Sequence, residues 1–346
     1  MARHKGVTAV VAGVAVVAVS LLGLWTWWNS NLLGDEAYCG GKLTRAELDS
    51  VLGTEGRISS VAAQGGEESP EFRCTVKRTS KLMGAEPMEI EVSTSVHEPD
   101  FAFQTRVWRD PGAMTYFSAG ATGAVSETRG WVMLPQECQG DVGYLVQAVM
   151  RKGKAERTEL AGMLVQTAQR VAARAGCAPD DVAPDFELGE RSVASATDAR
   201  SVCGTQGFAL PASAFVAGKA EPGKETVSTS KRTWACDLSF AGTGKSKVSF
   251  AVSSDHRIVT DRLRAETGFS DLPDGKGLID GHRRAILKCG EQSVYFGMRP
   301  NDAYQELLLE RERREQYEPT VRGLFQSFLD AAGKQHGCPT VTVPAG

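Results

Sequence analysis

Eight cysteines fall into two quartets, and that repetition constrains the fold more than any other feature of the chain. The first quartet is Cys39, Cys74, Cys138 and Cys177, at intervals of 35, 64 and 39 residues. The second is Cys203, Cys236, Cys289 and Cys338, at intervals of 33, 53 and 49. Local sequence supports the alignment. Tyr38-Cys39-Gly40 matches Val202-Cys203-Gly204, and the second cysteines sit in Phe72-Arg73-Cys74-Thr75-Val76 and Trp234-Ala235-Cys236-Asp237-Leu238. Tyr144 and Tyr295 each follow the third cysteine by six positions, and both quartets close on Gly-Cys, at Gly176-Cys177 and Gly337-Cys338. Counted back from the closing cysteines, Gly162 matches Gly323, and Leu160, Leu164, Val171 and Ala175 match Val321, Phe325, Ala332 and His336. Such spacings put the apolar members on one helix face. The pattern predicts two related domains.

Eight cysteines admit about a hundred complete pairings, so chemistry alone does not choose among them. The duplicated layout favours pairing within each half: Cys39–Cys74, Cys138–Cys177, Cys203–Cys236 and Cys289–Cys338. Closing loops of this size stabilises a fold by roughly 3–4 kcal/mol per bridge before native strain is counted. Zinc is disfavoured because no paired C-x2-C spacing occurs.

Disulfides need an oxidising compartment, and the N-terminus suggests how the chain reaches one. Gly6 to Trp28 contains no ionisable residue. As a continuous helix this run would be about 34 Å long, enough to cross a hydrocarbon layer of roughly 30 Å. Trp25, Trp27 and Trp28 gather at its far end, Arg3 and Lys5 precede it, and Asp35 and Glu36 follow it. That asymmetry predicts an uncleaved single-pass signal-anchor in the cell membrane of a bacterium, with a cytoplasmic N-terminus and lipid as a partner. A cleaved signal peptide is the rival; the apolar run is longer than the usual core and lacks a small-x-small site after it.

The expected fold class is therefore α+β: an N-terminal transmembrane helix, then two related disulfide-braced domains, each a small antiparallel sheet packed by helices. The expected boundaries are 1–28 for the cytoplasmic tip and anchor, 29–177 for the first extracytoplasmic repeat, 178–199 for a linker, 200–338 for the second repeat and 339–346 for a flexible tail. A helix is expected over Leu43–Leu52, capped by Thr44 with Glu47 three residues on. Gly53–Gly66 reads as loop, and Phe101–Trp108 as a strand. Arg157–Arg174 reads as the closing helix of the first repeat.

The charged residues exclude one class of function. With 39 basic and 42 acidic side chains the formal charge is -3, and wrapping nucleic acid requires a concentrated basic surface. Ser253-Ser254-Asp255-His256, followed by Asp261 and His282, is the densest polar cluster. A serine, a histidine and an acid cooperate only when folded into contact, and adjacency reads better as a polar loop. His97 and His336 are isolated. Gly242-Thr243-Gly244-Lys245-Ser246 lacks the length of a phosphate cradle and reads as a hairpin turn. Glu89 with Glu91, and Glu306 with Glu310, read as pairs on solvated faces. No residue pattern calls for a cofactor or a metal. The sequence thus favours a membrane-anchored extracytoplasmic binding or protein-interaction module, with an envelope protein, peptide or polymer as partner. The alternative is a structural or assembly scaffold, and behind it an envelope hydrolase built on Ser254 and His256.

Overall fold

The structure is a computed structural model, and it describes residues 16–21, 23–25, 31, 34–65, 71–80, 86–97, 110–134, 138, 143–177, 182, 185–216, 220–242, 245–264, 268–310 and 314–345. Among the described residues no helix is long and apolar enough to cross a membrane. Of the run expected to span, residues 16–21 and 23–25 are helical, and the remainder lies outside the described residues. The expectation of a single-pass signal-anchor is corrected accordingly, together with the membrane location, the cytoplasmic N-terminus and the lipid partner that depended on it. The fold class becomes two disulfide-linked domains of antiparallel sheet and helix.

The longer elements begin with α1 (Arg45–Leu52), β1 (Arg57–Gln64), β2 (Arg73–Thr79) and β3 (Met88–His97). They continue with β4 (Thr115–Ala119), β5 (Arg129–Met133), β6 (Gly143–Lys152) and α2 (Arg157–Ala175). Next come β7 (Ala220–Thr229), β8 (Thr233–Gly242), β9 (Lys247–Ser253) and α3 (His256–Arg264). Last are β10 (Arg284–Cys289), β11 (Gln292–Pro300), α4 (Asp302–Leu308) and α5 (Tyr317–Gln335). The strand expected at Phe101–Trp108 lies outside the described residues. Two compact units result. One comprises Met1–Ser95, Glu127–Trp131 and Val146–Pro179, and the other Val96–Ser126, Val132–Leu145 and Asp180–Gly346.

In the first unit α1 starts where Thr44 and Glu47 satisfy each other's orphan donors. The Thr44 amide donates to Glu47 Oε2 at 2.7 Å, and the Glu47 amide to Thr44 Oγ1 at 3.3 Å. Buried Glu47 also receives the Arg170 guanidinium from α2, whose Nε donates to the Lys42 carbonyl at 2.9 Å. One ion pair therefore ties the capping box to the closing helix. Antiparallel pairing joins β1 to β2 and β2 to β3. The strand β1 falls inside the stretch expected to be loop. Its glycines do not loosen the chain there; Gly56 (φ 101°) and Gly65 (φ 94°) bound the strand, and a Cβ on either would lie within 2.6 Å of a backbone oxygen of the partner segment. Only glycine permits that approach.

In the second unit the antiparallel sheet runs Glu190–Arg191, β7, β8, β9, β11, β10, Gly277–Asp280, Ser270–Asp271. A register shift between Pro222 and Lys224 lets β7 keep pairing past a proline and a glycine. Cys236, Leu238 and Phe240 point into the helix-covered core, with Phe250 and Val252 from β9. Phe328 of α5 reaches Phe250 at 5.0 Å, Phe208 at 5.5 Å and Trp234 at 6.0 Å between ring centroids. Tyr304 of α4 stacks on Phe240 at 4.6 Å and donates its hydroxyl proton to the Ala214 carbonyl. Pro319 lies in the first turn of α5, where a missing amide proton costs the helix nothing. Two segments read as connection or tail are engaged in structure. Ser195–Ala196 and Glu190–Arg191 pair with β7. Val341 and Val343 are buried, and the Val343 amide donates to Gln326 Oε1 at 2.7 Å.

Candidate functional site

The cysteines are all oxidised, and no thiol is free. Bridges join Cys39 to Cys74 (Cα–Cα 5.7 Å), Cys203 to Cys236 (6.1 Å) and Cys289 to Cys338 (4.1 Å). Cys138 and Cys177 are each disulfide-bonded as well. Among the described residues Cys39 and Cys203 are the only non-glycine residues in the left-handed region, at φ 57° and 59°, and each is followed by a left-handed glycine, Gly40 (65°) or Gly204 (67°). Such a corner is disfavoured for a residue with a Cβ, so the covalent bridge and the glycine act together to hold it. The second corner has a carboxylate on it. Glu225 of β7 accepts from the Cys203 amide at 2.9 Å; burial raises its pKa, that amide pulls it back down, and Asp198 adds to the rise.

The polar cluster at Ser253–His256 resolves into a helix start. Asp255 is buried and accepts from the Arg257 amide at 3.0 Å and from the Thr122 hydroxyl at 2.8 Å, while the Asp255 amide donates to Ser253 Oγ at 3.2 Å. The acid is thereby committed to capping α3. Ser254 donates its amide and hydroxyl to the Arg232 carbonyl, at 2.8 and 3.5 Å, and His256 is exposed. These contacts assemble no relay from acid through imidazole to hydroxyl.

The remaining candidates are dispersed. His282 contacts Glu318 at 3.3 Å through Nε2, and its buried Nδ1 has no partner among the described residues. His336 lies edge-on to Phe296 at 6.2 Å, and burial lowers its pKa, which favours the neutral ring over a charge at the helix terminus. His97 ends β3, and Asp261 lies in α3. Glu91 engages Arg151 at 2.8 Å and Arg73 at 3.8 Å. Glu306 and Glu310 are exposed. Gly242–Ser246 connects the antiparallel strands β8 and β9. Among the described residues no group of three His, Cys, Asp or Glu is placed to hold a metal ion.

One site escaped the sequence reading. Register places Thr226, Asp237, Ser249 and Arg299 in a single cross-strand row on β7, β8, β9 and β11. Asp237 alternates with core-facing Cys236 and Leu238, so its side chain belongs to the opposite face, yet it is buried. Ser249 donates to Asp237 Oδ1 at 2.6 Å, and Asp237 Oδ2 has no partner among the described residues. Burial pushes this carboxyl up to about 7; Ser249 opposes the rise, Asp110 adds to it, and Lys247 and the Gly112 amide oppose it. The cover is Pro111–Ala113, a 3-10 turn, followed by β4. Tyr116 of β4 is fully buried, and burial, with Asp237 nearby, raises its phenol well above the ordinary value. Such a group exchanges protons near neutrality. Its sequence signal is only an acid at an outward strand position, followed by Lys247 and Ser249 two residues apart.

No family model matches the chain, and no curated protein or solved structure matches it either.

Proposed function

We propose that the chain is a structural or assembly module of an oxidising compartment outside the cytoplasm, built from two copies of one ancestral disulfide-braced unit, one around each cysteine quartet. The reading of a membrane-anchored binding module is set aside, because no described helix carries the anchor on which it rested.

The observation that carries the proposal is the state of the cysteines. All eight are in disulfides, which persist where the surroundings are oxidising. Duplication is supported by the paired left-handed corners at Cys39-Gly40 and Cys203-Gly204. It is supported again at the other end of each half. Cys177 donates its amide to the Ala172 carbonyl, and Cys338 to the Gly333 carbonyl, each just after a left-handed glycine and a 19-residue helix. That is the same helix-stop hydrogen bond, with cysteine at the same place in it.

A brace that stiffens a spacer should matter to whatever the spacer holds. We expect the native chain to run in an assembly larger than itself, and that assembly to lose mass or change spacing when one cysteine quartet is deleted or when the chain is reduced and alkylated. Size measurement on native extracts checks this. An assembly unchanged by both treatments would sink the scaffold reading, and free thiols in the native protein would sink the compartment.

A further inference from the structure

We propose that Asp110–Tyr116 is a pH-gated strap, held on the outer face of the second unit's sheet while the Asp237 carboxyl carries a proton and released as that carboxyl ionises.

The geometry makes the contact close and specific. Gly112 packs its backbone straight onto the sheet; a Cβ there would lie 2.3 Å from the Thr226 carbonyl oxygen and 2.5 Å from the Asp237 amide nitrogen. No other residue allows that approach. The strap thereby removes Asp237 from water, and Oδ2 is left without a partner among the described residues. A carboxylate oxygen buried so is costly, and a protonated one much less so. The charged and titratable groups facing Asp237 come from every element around it. Asp110 opens the strap and is ion-paired with Lys247 of β9 at 2.5 Å. Tyr116 closes the strap, at the start of β4. Arg299 stands in the same row on β11, beyond Ser249. Thr226 of β7 carries no charge. Two further contacts hold the strap whatever the charge on Asp237: Arg191 donates to the Ala113 carbonyl at 3.1 Å, and the Gly189 amide to the Tyr116 carbonyl at 2.8 Å.

Lifting the strap returns Asp237 to water and to the ordinary carboxylate range. The docked form therefore binds a proton up to about pH 7, the lifted form only to its usual value of 3.8. A group raised in the docked state favours docking fully below the ordinary value, and that contribution is lost as pH rises through the raised one. Each unit of pH in that window loosens the strap by up to about tenfold, with no further loosening above it.

Hydrogen exchange of residues 110–117 in the full oxidised chain tests this, followed by mass spectrometry from pH 5 to 8 and corrected for intrinsic exchange. The opening constant should rise steeply up to about pH 7 and then level, and Asp237→Asn should flatten the profile. A wild-type opening constant equal at pH 5 and 7.5, or a slope kept in D237N, overturns the proposal. Ser249→Ala removes the donor that favours the ionised form, so it should move the window to higher pH; this arm decides the matter if D237N does not fold. Gly112→Ala should leave the strap open at every pH, and protection equal to wild type in G112A would also overturn it.

Discussion

The two 19-residue helices that close the cysteine quartets share a register and differ in what holds them. Seven residues before its cysteine, α2 carries Arg170, which clamps Glu47, where α5 carries Ala331. Ten residues before, α2 buries Thr167, whose hydroxyl turns back to the Met163 carbonyl at 2.7 Å, where α5 buries Phe328 among Phe208, Phe250 and Trp234. Both helices bury an apolar face, and at these two positions the first adds an ion pair and a local hydrogen bond where the second adds aromatic contact. A common backbone plan thus tolerates exchange of these added contacts, provided the same face stays buried. The sharpest way to break the comparison is at these two positions. Phe328→Ala should cost about 3–5 kcal/mol through lost transfer and an unfilled cavity, whereas Thr167→Ala should cost about 1 kcal/mol or less, since its hydroxyl bonds its own helix. Urea unfolding of each variant measures both; equal losses would remove the distinction.

The braces should behave alike where the helices do not. Cys39–Cys74 and Cys203–Cys236 close loops of 35 and 33 residues, so loop entropy assigns each roughly 3–4 kcal/mol and almost no difference between them. Replacing either pair with serine should lower stability by similar amounts, and a gap of several kcal/mol between the two would show that the corners are not equivalent. Next in size comes Arg170→Ala. Glu47 keeps its Thr44 donors but loses its cation, for an expected loss of about 2–3 kcal/mol, measured against a Glu47→Gln, Arg170→Ala double variant to isolate the pair.

Elements whose signal is local were legible from sequence. The Thr44–Glu47 capping box needs only residues three apart. Alternation in Met88-Glu89-Ile90-Glu91-Val92 and in the residues of β8 marks a strand with one face in the core. Signals that depend on a distant partner were not legible. The segments β1 and β7 hid behind glycine and proline, because what satisfies their backbones is the neighbouring strand. The helix α3 was missed because Arg257, Asp261, Arg262 and Arg264 swamp its apolar members. The apolar run near the N-terminus is long enough by count to span, but among the described residues no helix is long and apolar enough to do so. Asp237 was invisible for a further reason: its environment is made by a turn whose ion pair, Asp110 with Lys247, joins residues 137 positions apart.

The smallest effects lie at the two cysteine corners, which share a backbone and carry clamps of opposite sign. Arg174 of α2 donates to the Gly40 carbonyl at 2.5 Å, and Glu225 accepts from the Cys203 amide. Gly40→Ala and Gly204→Ala should each cost about 1 kcal/mol, the penalty for a Cβ in the left-handed region; at Gly204 nothing lies within 4 Å of the added atom, so conformation is the whole cost. The clamps should then separate the corners by pH. Burial raises the Glu225 carboxyl above its ordinary 4.5, so its contribution is fully present below that value and is lost as pH climbs through the raised one. Wild type should therefore lose stability relative to Glu225→Gln between a pH below the ordinary value and one above the raised value, while Arg174→Gln, which alters no carboxyl, should leave the slope as it is. Denaturant midpoints at the two pH values decide it. A shift of the opposite sign would mean that the Cys203 amide outweighs desolvation, and that the second corner holds its anion as firmly as the first holds its cation.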